Sequence, residues 1–231
     1  TYGTWLPGDE RGWIDERRNG FGEPMNPPDV RLEAAARGQM HSPPMEFTDH
    51  VGVPLREALS LVHNTLVGLN LRQHIRIGAA GKITTAFDIA RTLALGADWC
   101  NAARGYMFSL GCIQSLSCHT DRCPTGVTTQ NQDRQKALVP ADKATRVHQY
   151  HENTMMALRD LIAAAGLTHP DELGPEHIIR RVSSTKVRSL SRLLPFIEPG
   201  ALLADTVPDH PVFQAFWTDS RSDSFAAPAL V

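Results

Sequence analysis

The chain has 231 residues, of which 42% are hydrophobic and 21% charged, with a formal net charge of -2 at pH 7. One large or two small domains fit that length, and the balanced charge excludes a general polyanion binder, so neither nucleic acid nor an anionic membrane is an expected partner. No apolar run approaches the ~20 residues that span a bilayer, and the N-terminus lacks the basic-then-apolar pattern of a secretory leader, which places the expected compartment in the cytoplasm.

Thr1 to Asn26 are rich in Gly, Pro, Trp and Arg and show no helical or strand period. A short helical pattern at Val30 to Arg37 stops at Gly38, and Pro43-Pro44 breaks the chain. From Pro54 to Leu71, Leu55, Leu59, Val62, Leu66 and Leu69 recur every three or four positions, which predicts an amphipathic helix. Arg76 to Ala80 is short and apolar and precedes Gly81, as a buried strand would. Thr84 or Thr85 can cap a second helix carrying Phe87, Ile89, Ala90 and Leu93, with Gly96 as its stop. Ala97 to Ala103 reads as another strand, closed by Arg104-Gly105. Strand, helix, strand over so short a span is one βαβ unit with parallel strands and a right-handed crossover. Two strands cannot bury both faces of their sheet, so the unit requires neighbours.

A long helical pattern spans Asp142 to Ala165 through Val147, Tyr150, Ala157, Leu158, Leu161 and Ile162. Beyond it, His169-Pro170, Gly174-Pro175 and Glu198-Pro199-Gly200 punctuate a tail that reads as short helices. The basic run Arg180, Arg181, Lys186, Arg188 and Arg192 reads as a solvated face. Met155-Met156 reads as core packing, and His50 and His63 as hydrogen-bonded structural histidines.

The chemistry concentrates in one stretch. All 4 cysteines, Cys100, Cys112, Cys118 and Cys123, lie close together in the chain. In a reducing compartment such a group points to metal binding or catalysis rather than disulfides. Cys100 suits a buried apolar position. The other three follow a Cys-x5-Cys-x4-Cys spacing with Pro124 after the last. Three thiolates on one tight loop suit a three-iron cluster. A structural zinc site takes four ligands, and His119, adjacent to Cys118, is a poor fourth. Iron–sulfur, zinc and no metal are the readings that the spacing leaves open.

The stretch Gly111-Cys112, Cys118-His119, Cys123-Pro124, Gly126-Val127, Thr129-Gln130 resembles the cysteine region of the FMN-binding glutamate synthases. Upstream, His50, Gly52, Pro54, Val62-His63-Asn64, Asn70-Leu71-Arg72 and Leu95-Gly96-Ala97-Asp98 extend the resemblance, and Arg134-Gln135 extend it downstream. It covers about residues 43–231. What it implies is an α/β fold, the C-terminal portion of a (β/α)8 TIM barrel, with the two strands as the barrel's last two. Residues 43–141 would hold these strands and the Fe–S loop, and residues 142–231 a helical C-terminal extension.

By this resemblance Cys112, Cys118 and Cys123 ligate a [3Fe-4S] cluster. FMN phosphate would sit at Gly81 and Lys82 after the first strand and at Ala102, Ala103, Arg104 and Gly105 after the second, where barrels of this kind bind phosphate. The activity implied is that of an oxidoreductase acting on CH-NH2 donors: reductive amination of 2-oxoglutarate, with ammonia or glutamine-derived ammonia, to glutamate. The electron donor and the catalytic residues stay unassigned.

The sequence also departs from this family. Ala80-Gly81-Lys82 stands where the larger members have Asp-Gly-Gly, and Asn101-Ala102-Ala103 where they have Gly-x-Gly. A Gly-rich segment expected before Pro44-Met45-Glu46-Phe47 is replaced by Arg31 to Ser42. Residues 1–41 form a non-barrel segment whose opening, Thr1-Tyr-Gly-Thr-Trp5 through Trp13, resembles REP-associated tyrosine transposases. Fewer than 190 residues follow Ser42, against about 250 for a complete barrel. The expectation is therefore an incomplete barrel that alone binds FMN weakly or not at all and is inactive. The alternative is a chimeric fragment that acts at most as an iron–sulfur-binding module.

Overall fold

A computed structural model describes residues 53–221 and the backbone of Thr4 and Trp5. The elements in chain order are β1 (Thr4–Trp5), α1 (Leu55–Gly68), β2 (Gly78–Ala80), α2 (Ala86–Ala94), β3 (Trp99–Asn101), α3 (Ala103–Leu110), α4 (Gln132–Gln135), α5 (Pro140–Ala164), β4 (Ile179–Arg181), β5 (Val187–Ser189) and α6 (Pro211–Phe216). Short 3-10 turns lie at Pro170–Glu172, Leu190–Arg192 and Ala201–Leu203. The fold is mixed α/β with two small sheets.

The βαβ unit forms as its sequence dictates. Thr85 is the N-cap of α2. Its hydroxyl accepts from Asp88 N–H at 3.1 Å, and the Asp88 carboxylate accepts in return from Thr85 N–H at 3.1 Å. This reciprocal box satisfies amides that the first turn leaves without intrahelical partners. Ile89, Ala90, Leu93 and Ala94 then bury one face of the helix. β2 and β3 pair in parallel, Gly78 with Trp99, Ala79 with Cys100 and Ala80 with Asn101. Ala79 and Cys100 point into the core at 2% and 1% exposure, so Cys100 is a small buried hydrophobe, and burial pushes its thiol up to about 12.

β1 pairs antiparallel with the other edge of β3, which makes the sheet order β1-β3-β2. A barrel of parallel strands would place a parallel neighbour on both edges of β3. Among the described residues the sheet is three-stranded, mixed and open.

Helix α5 lies across α2 and α3. Leu158 and Ile162 enter the same core as Leu59, Ile89 and Leu93, together with Ile178 and Leu190 from the tail. Its neighbouring methionines do not both pack inward as expected: Met156 is 57% exposed, because a straight helix touching its neighbours along one stripe turns every third or fourth residue inward and its flank to solvent. The tail differs from the expected run of short helices, since Ile179–Arg181 and Val187–Ser189 form an antiparallel hairpin. Its residues are largely exposed, as the basic run predicted.

The tail is fixed to α1 by the buried Asn64. Its amide donates to Pro195 O at 2.9 Å. His63, next to it, is a structural histidine. Arg72 Nε donates to its Nδ1 at 3.4 Å, and Arg72 also bonds the carbonyls of Ile75 and Gly96 and the Asp98 carboxylate at 2.9 Å. Asp98 in turn accepts from Ile77 N–H at 2.6 Å. This network stitches the amino-terminal ends of β2 and β3 together, and a cavity of about 250 Å³ opens beside it. His50 and the Val30 to Arg37 helix lie outside the described residues, as does the transposase-like opening apart from the backbone of Thr4 and Trp5.

Candidate functional site

The carboxyl ends of β2 and β3 present two loops side by side, because Ala80 and Asn101 are register partners. The first loop carries Gly81 and Lys82, and Lys82 holds a left-handed φ of 54°. A non-glycine residue there costs about 1–2 kcal/mol. The second loop is shorter than expected. The strand predicted for Ala97 to Ala103 is three residues long, and Ala102 is already the N-cap of α3. No side chain caps that end, so the amides of Ala103, Arg104 and Gly105 form the first turn with their hydrogens directed out of the helix. A cavity of about 400 Å³ borders Gly81 and Lys82, lined also by Leu55, Arg56 and Glu57 of α1 and by Asp88 and Arg91 of α2.

Gly105, which the sequence presents as a strand terminator, is a buried residue within α3. A Cβ there would overlap the Tyr150 hydroxyl. The missing side chain makes room for a protein neighbour.

The cysteine segment begins where α3 ends. Gly111 adopts a left-handed φ of 106°, and Cys112 N–H reaches back to Met107 O at 3.0 Å. This closure is of the Schellman type and requires a residue that tolerates the left-handed region. Gln114, Leu116 and Asp121 are also left-handed, at 56°, 58° and 60°. Of the five non-glycine residues with positive φ among those described, three fall in this loop and a fourth is Lys82. Such strain persists only where the surroundings over-determine it, and it concentrates at functional sites.

The residues after Cys123 hold the loop in place. Thr129 Oγ1 donates to Asp121 O at 2.7 Å, and Gln130 N–H donates to the Asp121 carboxylate at 2.6 Å. Gln135 Nε2 donates to Thr129 O at 2.7 Å, and the Arg134 guanidinium donates to Arg122 O at 3.0 Å. Thr129, Arg134 and Gln135 thus fix this loop through its backbone carbonyls.

All four cysteines are free. Cys112 and Cys118 are partly exposed and Cys123 is buried. Burial alone would raise the Cys123 thiol, but hydrogen bonds from Thr125 and from Thr128 outweigh it and bring the thiol down to about 6. Thr125 Oγ1 lies 3.5 Å from the sulfur. The Thr128 hydroxyl is buried with no hydrogen-bond partner, so the Thr125 hydroxyl and the Thr128 amide are the main source of the lowering. Among the described residues no three Cys, His, Asp or Glu side chains converge closely enough to hold a metal ion. The structure therefore places Cys112, Cys118 and Cys123 on one constrained loop and does not bring their sulfurs together.

Residues 36–168 match the conserved region of glutamate synthase, a segment that contains both strand-end loops, the cysteine loop and all of α5. The chain is 42% identical over 149 residues to the glutamate synthase large subunit-like protein YerD of Bacillus subtilis, covering 64% of this chain and 28% of the relative. It is 33% identical over 137 residues to the archaeal glutamate synthase [NADPH] of Methanocaldococcus jannaschii, covering 59% of this chain and 27% of that protein. With the ferredoxin-dependent glutamate synthase of Antithamnion sp. it shares 30% identity over 132 residues, 56% of this chain and 8% of the relative. The chain spans less than a third of the length of each of these relatives. The family match covers more than half of its residues, and the chain belongs to the glutamate synthase family.

Proposed function

We propose that the chain is the C-terminal part of a glutamate-synthase-type oxidoreductase: the last two strands of a (β/α)8 barrel, a cysteine loop and a helical extension. The observation that carries this reading is the concentration of left-handed, non-glycine residues at Lys82, Gln114, Leu116 and Asp121, in the two loops where the resemblance implies cofactors.

The donor chemistry at both loops suits the groups implied. At the strand ends, the outward amides of Ala103, Arg104 and Gly105 suit a phosphate, with Gly81 beside them and Lys82 and Arg104 supplying positive charge. The cysteine loop offers three thiols, and a thiol already lowered to about 6 at Cys123 is one that ligates iron without a large protonation cost. Cys112 and Cys118 complete the proposed [3Fe-4S] ligand set. When bound, FMN would supply hydride chemistry and the cluster would relay electrons. This chain's residues position the phosphate, hold the loop and shield Cys123. The substrates would be 2-oxoglutarate and ammonia, or ammonia derived from glutamine.

A second reading, an inactive fragment that binds at most an iron–sulfur cluster, is favoured by the open mixed sheet, in which β1 lies antiparallel on β3. Anaerobic incubation of the chain with photoreduced FMN, 2-oxoglutarate and ammonium, followed by glutamate quantification, separates the two. Flavin-dependent glutamate formation supports the oxidoreductase. Retained iron with no glutamate formed supports the fragment.

A further inference from the structure

The two strand-end loops are joined through a side chain that belongs to neither. Tyr150, in the middle of α5, donates its hydroxyl to Thr84 O at 2.7 Å, in the segment that leads from Gly81-Lys82 into α2. On its way the hydroxyl passes through the space that a Cβ on Gly105 would fill. It thus lies against the first turn of α3 while holding the loop after β2.

The neighbouring residues reinforce this placement. Tyr106, which follows Gly105, meets the Tyr150 ring edge-on with centroids 5.1 Å apart. Its own hydroxyl shares a 2.7 Å hydrogen bond with Nδ1 of His151. Consecutive residues of α5, Tyr150 and His151, therefore grip consecutive residues of α3, Gly105 and Tyr106. Burial pushes both phenols above their ordinary value, so each stays a neutral hydrogen-bonding group across the physiological range. Strands β2 and β3 pair over only three residues, which leaves the separation of the loops beyond them to be set by what bridges them.

We propose that Tyr150 is a positioning residue for the phosphate cradle, fixing the loop that carries Gly81 and Lys82 against the first turn of α3, with Tyr106 and His151 holding its ring in place. The inference rests on the reading of these loops as a phosphate cradle. It also gives α5 a part in the site: the helix is reached from β3 only through the cysteine loop, so the element that follows the three cysteines also spaces the loops at the strand ends.

Titration of the chain with FMN and, separately, with riboflavin, followed by flavin fluorescence, tests this. Riboflavin lacks the phosphate and shares the ring, so the ratio of the two affinities reports the cradle alone. Tyr150→Phe keeps the ring packing and removes the hydroxyl. The expected result is a wild-type preference for FMN that falls about fivefold in Y150F, the scale of one lost hydrogen bond, while riboflavin affinity and thermal midpoint hold. A purely structural tyrosine would move both ligands together or shift the midpoint alone, and that result overturns the positioning role. A wild-type preference that Y150F leaves intact also overturns it, with the cradle standing. A wild-type chain that does not distinguish FMN from riboflavin removes the cradle itself and Tyr150's role with it.

Discussion

Leu158 is the side chain that ties the long helix α5 to the βαβ unit, and its truncation gives a quantitative test of the shared core. It is 1% exposed and belongs to the buried cluster formed with Ile89, Ala90, Leu93 and Ile162. Leu158→Ala removes three carbons, worth about 2.4 kcal/mol at ~0.8 kcal/mol per methylene. The cavity that remains adds to this, since large-to-alanine changes at buried leucines cost about 2–5 kcal/mol in total. A loss of about 3 kcal/mol is a large share of the stability of an ordinary domain. Leu161, in the adjoining turn at 36% exposure, is the matched control, and L161A should cost less than about 1 kcal/mol. Urea unfolding followed by far-UV circular dichroism measures both. L158A within ~1 kcal/mol of wild type, or equal to L161A, would refute the placement of α5 in the same core as β2 and β3.

Further expectations concern single groups. Thr85→Ala removes the capping box of α2 and should cost ~1 kcal/mol; no measurable loss in urea unfolding would count against the cap. Burial first, and the Arg72 charge second, hold the His63 imidazole below its ordinary 6.5. The folded state then binds fewer protons than the unfolded chain below that pH, so this stability is complete above about 6.5 and declines as pH falls toward the folded value. His63→Gln should flatten that decline, and identical pH–stability slopes in the two proteins would contradict the assignment. In the metal-free chain, the ultraviolet absorbance of the Cys123 thiolate should titrate with a midpoint of about 6 and be missing in C123S. Thr125→Val should raise that midpoint, and a titration unchanged by the substitution would remove the hydrogen-bonding explanation.

The parts legible in the sequence were those with a regular period and clear ends. Leu55, Leu59 and Leu66 marked α1, Thr85 and Asp88 marked the start of α2, and the intervening short apolar runs marked two parallel strands. Helix α3 was hidden because Arg104-Gly105 carries the signature of a turn. Gly105 is glycine to admit Tyr150, a contact from 45 positions further along the chain, and local pattern cannot report it. The hairpin β4–β5 escaped for a different reason. Its strands are three residues long with Ile179 and Val187 both exposed, so neither alternates between buried and solvated positions. The cysteine spacing was plain, but the grip of Thr129, Arg134 and Gln135 on that loop depends on backbone carbonyls, which the sequence does not display.

Iron and acid-labile sulfide analysis of the chain purified without oxygen, beside its C112S, C118S and C123S variants, decides whether the cysteine loop holds a cluster. A [3Fe-4S] centre on this loop gives about three irons and four sulfides per chain, lost in each variant and retained in C100S, whose sulfur is buried in the core. A chain that takes up zinc instead, or iron that survives all three substitutions, would contradict the assignment of Cys112, Cys118 and Cys123 to an iron–sulfur cluster.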